Sequence, residues 1–112
     1  EMLYAVLLDR DCIVKKVKKI SVGTVNATPL YPREIVQFAV NEKYPYLLIA
    51  HNHPNGNPTP SGADIDTTFN ISVTLRKIGV ELIDHVIIGE NSHYSMRNQS
   101  QYANLFGGLL KE

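Results

Sequence analysis

Residues 46–64 read Tyr-Leu-Leu-Ile-Ala-His-Asn-His-Pro-Asn-Gly-Asn-Pro-Thr-Pro-Ser-Gly-Ala-Asp, and this stretch decides how the rest of the chain is organised. Tyr46–Ala50 is a short, continuously apolar run, the pattern of a buried central strand. It stops at His51. Residues 54–60 contain three prolines and a glycine, which makes a constrained loop. Ser61 then opens a helix predicted to run to about Lys77, with Ile65, Phe69, Ser72 and Leu75 or Arg76 along one side. Gly79 is its stop.

Upstream, Met2–Leu8 and Cys12–Val22 read as two strands joined by the polar turn Asp9-Arg10-Asp11. Gly23–Pro29 reads as loop. Pro32 begins a helix with Glu34 in its first turn and Ile35, Phe38 and Ala39 on one face, ending near residues 41–43. Downstream, Val80–Ile88 is another strand, Gly89–Ser92 a turn and His93–Met96 a short final strand. The stretch from Arg97 to Glu112 carries no clear pattern, and Gly107-Gly108 breaks whatever precedes it. Strands and helices alternate through the middle of the chain, which predicts an α/β sandwich around one mixed sheet.

Composition narrows the functional classes. The chain has 112 residues, an ordinary length for one domain, and it reads as a single domain over 1–112. It starts inside a strand-like run without an initiator Met, so it is expected to be trimmed from something longer. Lys+Arg and Asp+Glu are both 11, giving zero formal charge, whereas nucleic-acid binders carry a basic excess that supplies most of their affinity. Lys15, Lys16, Lys18 and Lys19 read as the solvated edge of a strand. Cys12 is the sole cysteine and reads as a small apolar strand residue, so no internal disulfide forms and a cytoplasmic location is expected. No apolar run approaches the roughly 20 residues a membrane span needs, and no signal peptide is visible at the N-terminus.

The chemistry is concentrated in His51-Asn52-His53-Pro54 and Ser61-Gly62-Ala63-Asp64. In extended backbone, alternate residues point the same way with Cα atoms roughly 6.6 Å apart. Two imidazoles at that spacing can converge on one ion at about 2.0–2.1 Å. Ser61 and Asp64 lie three residues apart on the first helical turn, so Asp64 can point back at the histidines. Two His and one carboxylate leave a fourth position for water, the pattern of catalytic zinc. Each half alone has a plainer explanation. Ser-x-x-Asp before a helical run is N-capping chemistry, and His-x-His alone is often two polar loop residues. Their conjunction across a proline-locked loop favours the metal.

His51-x-His53-Pro54, seven residues, Ser61, two residues and Asp64 resembles the JAMM (MPN+) zinc metallopeptidase motif. The longer string through Gly56, Pro58 and Pro60 resembles its RadC-like branch, as do Tyr31-Pro32-Arg33-Glu34 and Asp84-His85-Val86-Ile87-Ile88-Gly89. The resemblance implies a JAB/MPN-type, cytidine-deaminase-like three-layer sandwich around a mixed sheet. It implies one Zn2+ per chain on His51, His53 and Asp64, and amide hydrolysis by a metal-activated water. It further implies Glu1 as general base and Ser61 as a donor to the developing oxyanion; Glu34 is the rival base, better read as a first-turn helix residue. His85 and Asp84 either support a ligand or close a strand end, and Arg33 either binds a substrate carboxylate or pairs with an acid. A peptide or protein substrate follows, with no membrane partner and nucleic acid only through an upstream domain. The alternative is a non-catalytic protein- or DNA-associated binding module of a DNA repair protein. A zinc nucleobase deaminase is excluded by the lone cysteine.

Overall fold

The computed structural model describes residues 2–22, 24–25, 28–29, 31–53 and 56–107. In β1 (Leu3–Leu8) the alternating side chains Leu3, Ala5 and Leu7 point inward. β1 turns back into β2 (Val14–Ile20) through a loop organised by Asp9, whose carboxylate accepts the backbone N–H groups of Asp11 and Ile13 at 2.9 and 3.0 Å. Cys12 sits in this turn at φ 65°, exposed; the turn extends two residues further than expected, so Cys12 is not a strand residue. The four lysines of β2 are exposed along the sheet's outer edge, as their spacing predicts.

A two-stranded ladder, β3 (Thr24–Val25) and β4 (Thr28–Pro29), occupies the expected loop. There follow α1 (Tyr31–Asn41), β5 (Tyr46–Asn52), α2 (Gly62–Lys77), β6 (Glu81–Ile88) and β7 (His93–Ser95). The sheet order is β2-β1-β5-β6-β7. β5 and β6 run parallel and every other neighbouring pair antiparallel, so the expected α/β fold around a mixed sheet is present.

Ile35, Phe38 and Ala39 of α1 and Ile71 and Leu75 of α2 share one buried cluster with Leu3, Ala5, Leu7, Leu47, Ile49 and Leu82. The two helices touch each other across that cluster and so lie on one sheet face. On the other, Tyr4, Val6, Leu48, Ala50 and Val86 are half-buried.

The buried stripe of α2 is Thr68, Ile71, Ser72 and Leu75, while Phe69 is 51% exposed. Sequence hydrophobicity favours Phe69, but both hydroxyls find buried partners, which removes the penalty for burying them. Ser72 donates to the carbonyl of Leu105, and Thr68 donates to the carbonyl of Asp64.

The segment after β7, patternless in sequence, closes the core through two short 3-10 turns, Met96–Asn98 and Ala103–Leu105. Met96 and Phe106 are buried. Arg97 Nη1 donates to the carbonyls of Ile83 and Gly107 at 2.8 and 3.0 Å. Asp84 accepts the backbone N–H groups of His85 and Arg97 and the Ser95 hydroxyl. Asp84 therefore braces the end of the fold and does not face the histidines.

Candidate metal centre

β5 is the central strand, and it runs two residues beyond the apolar stretch. His51 pairs with Leu3 on one side and Ile87 on the other, so it lies within the sheet and is only 4% exposed. Asn52 explains the extension. Its backbone N–H donates to the Met2 carbonyl at 3.1 Å, and its side-chain oxygen accepts the Met2 N–H at 2.6 Å. A polar strand end of this kind carries no hydrophobic signal, so sequence reasoning ended the strand early.

His53 is carried just past the strand, its N–H donating to the Ile88 carbonyl at 3.1 Å. The chain then turns: Gly56 N–H donates back to the His53 carbonyl at 2.9 Å, and Gly56 takes φ 82°, where only glycine is at ease. Glu90 N–H anchors this loop by donating to the Gly56 carbonyl at 3.1 Å. From the same loop, the Asn57 carbonyl sits 2.8 Å from His53 Nδ1. A carbonyl can only accept, so His53 donates Nδ1–H and its Nε2 keeps a lone pair when the ring is neutral.

Asp64 arrives from α2. Ser61 is the N-cap, and the capping box is complete: Ser61 Oγ accepts the Asp64 N–H at 3.0 Å, and Asp64 Oδ2 accepts the Ser61 N–H at 2.9 Å. The cap therefore does not compete with a role at the site. It fixes the carboxylate where it faces the histidines.

His53 Nε2 lies 3.1 Å from Asp64 Oδ2, and His51 Nε2 lies 3.8 Å from Asp64 Oδ1. All three donor atoms fall within 4.8 Å of one another. A tetrahedral zinc with bonds of about 2.0–2.2 Å separates its donors by roughly 3.3–3.6 Å. The two His–Asp separations, each to a different carboxylate oxygen, lie on either side of that range, and the outer limit of 4.8 Å is wider, so the side chains would draw together around an ion. The donor set fits the ion in chemistry.

Burial works to raise the Asp64 pKa. The Ser61 backbone N–H, the charge of His51, the Ser61 hydroxyl and the charge of His53 outweigh it, holding the carboxyl below its ordinary value. The group that metal binding requires as an anion is thus an anion at neutral pH.

Behind His51 stands His85, 0% exposed, with Nε2 at 2.7 Å from His51 Nδ1. Its Nδ1 lies 2.6 Å from Thr68 Oγ1. Burial, and then the charge of His51, push the His85 pKa down to about 3, so the ring is neutral.

Among the other candidates, Glu1 and Pro54 lie outside the described residues. Glu34 belongs to the first turn of α1, where its carboxylate accepts the Ser21 N–H at 3.4 Å. His93 is exposed at the start of β7. Thr68 and Asn52 had no signal in the sequence, since each acts through a partner far along the chain.

A family model described as the RadC-like JAB domain matches residues 1–102. Curated relatives called UPF0758 protein include one from Clostridium botulinum strain Langeland and one from Clostridium beijerinckii, each 39% identical over 99 residues. The matches cover 88% of this chain and 43% of either relative, so the chain spans less than half their length. No helix among the described residues is long and apolar enough to cross a membrane.

Proposed function

The chain belongs to the RadC-like JAB domain family, and from that premise we propose that it is a zinc-dependent hydrolase of amide bonds acting on a peptide or protein. The observation that carries the reading is the contact between His53 and Asp64. His53 has committed its Nδ1 proton to Asn57, so its Nε2 lone pair faces a carboxylate oxygen 3.1 Å away. Two electron-rich atoms at that distance need a positive charge between them, a second ring proton or a cation. With His51 Nε2 converging on the same carboxylate, one divalent ion satisfies all three.

His51, His53 and Asp64 would hold the zinc, which when bound supplies Lewis acidity that activates water and polarises a carbonyl. Glu1 is assigned as the base that takes the proton from water and passes it to the leaving amine. Met2, its chain neighbour, is tied at both its N–H and its carbonyl to Asn52, beside His51. Ser61 uses an oxygen lone pair in the helix cap, which leaves its hydroxyl proton to donate toward an oxyanion. The rival reading, a binding module without catalysis, needs none of this ligand convergence.

The test is hydrolysis of a peptide and isopeptide panel by the zinc-loaded chain. Cleavage should disappear with a chelator and return with added zinc. Cleavage that survives complete metal removal would refute the proposal, as would a zinc-loaded protein that is inert on every panel member.

A further inference from the structure

Thr68 sits on α2 and His85 on β6, 17 residues apart, yet they form one continuous buried polar line into His51. Thr68 and His85 are both 0% exposed. The direction of each hydrogen bond follows from counting protons. The Asp64 carbonyl only accepts, so the 2.6 Å bond to it takes the single proton of the Thr68 hydroxyl, ahead of the weaker acceptor Met96 Sδ at 4.0 Å. Thr68 Oγ1 must then accept at its 2.6 Å contact with His85, which places the His85 proton on Nδ1. A neutral imidazole with Nδ1–H has an acceptor at Nε2, and the partner there, at 2.7 Å, is His51 Nδ1. His51 must donate. Its own Nε2 is left as the lone-pair atom, on the side of the ring facing Asp64.

We propose that Thr68 and His85 are positioning residues that lock His51 into the Nδ1–H tautomer, presenting Nε2 to the metal. The line closes on itself: the carbonyl that orients the Thr68 hydroxyl belongs to Asp64, the carboxylate ligand. One helical turn of α2 therefore sets both the carboxylate and, through two buried side chains, the tautomer of the histidine opposite. His53 reaches the same state by a separate route, the Asn57 carbonyl. An isolated neutral imidazole has no such lock, and a ligand that must shift its proton before binding loses affinity.

This inference rests on the zinc reading above, and its test separates the two. Nitrogen-15 histidine spectra of the metal-free chain at about pH 8, above the ordinary histidine range, report which ring nitrogen of His51 bears the proton. The expected result is Nδ1–H in the native chain; a proton on Nε2 overturns the relay. This measurement needs neither metal nor variant. Zinc affinity by chelator competition is then expected to fall about 10–100-fold in Thr68→Val, with Thr68→Ser keeping the native value. Native affinity in a folded Thr68→Val also overturns the relay. Failure of the native chain to bind zinc would sink the metal reading alone, leaving the tautomer measurement to decide the relay.

Discussion

Asp64→Asn is expected to abolish useful zinc affinity while leaving the fold standing. The substitution keeps the side chain's shape and an oxygen that can still accept the Ser61 N–H, so the N-terminal cap of α2 survives in weakened form. What it removes is the anion that His51 Nε2 and His53 Nε2 both face, at 3.8 and 3.1 Å. Losing a supporting hydrogen bond behind a ligand lowers metal affinity roughly 10–100-fold. Loss of a charged ligand should exceed that range. Helix stability should fall by no more than about 1 kcal/mol from the weaker interaction with the helix dipole. Competition with a chromogenic chelator and a thermal melt monitor the two effects separately. Zinc binding at native strength in the variant would show that Asp64 does not hold the ion.

The second large effect is expected at Gly89, which follows β6 and touches the loop that fixes His53. A Cβ there would overlap the Gly56 carbonyl oxygen and stand 2.8 Å from Pro58 Cδ. The obstacle is backbone and a proline ring, so a rotamer change cannot relieve it. Gly89→Ala must push the loop outward. That strains the Glu90 N–H bond to Gly56 and shifts the Asn57 carbonyl away from His53 Nδ1. Overpacking of this kind destabilises by about 1–3 kcal/mol. Zinc affinity should fall with it, by roughly the 10–100-fold typical of a lost supporting bond. Gly79→Ala is the control. Gly79 has φ 82° with open space around its Cβ, at the far end of α2. A side chain there costs about 1–2 kcal/mol in backbone strain and should leave zinc affinity untouched. Equal zinc loss in both variants would mean that general destabilisation, and not the loop, governs the site.

The parts of this molecule readable from sequence are those whose cause is local. The three residues that converge were identifiable because His51 and His53 share a strand spacing and Asp64 shares a helical turn with its cap. The apolar run of β5 located the sheet's centre for the same reason. Asn52 prolongs β5 through bonds to Met2, which is 50 residues away, so the strand appeared to end at His51. Thr68 is buried in place of Phe69 because its hydroxyl meets His85, a contact that exists only once α2 lies on β6. The segment from Met96 to Gly107 owes its order to Asp84 and Ile83, through Arg97, rather than to any periodicity of its own.

Anomalous diffraction at the zinc edge, from crystals of the chain given one equivalent of zinc, measures ligand convergence at its source. The account predicts a single peak within about 2.0–2.2 Å of His51 Nε2, His53 Nε2 and one Asp64 carboxylate oxygen, with His51 Nδ1 still on His85. A peak bound through other residues, or none at these side chains under saturating zinc, would contradict it.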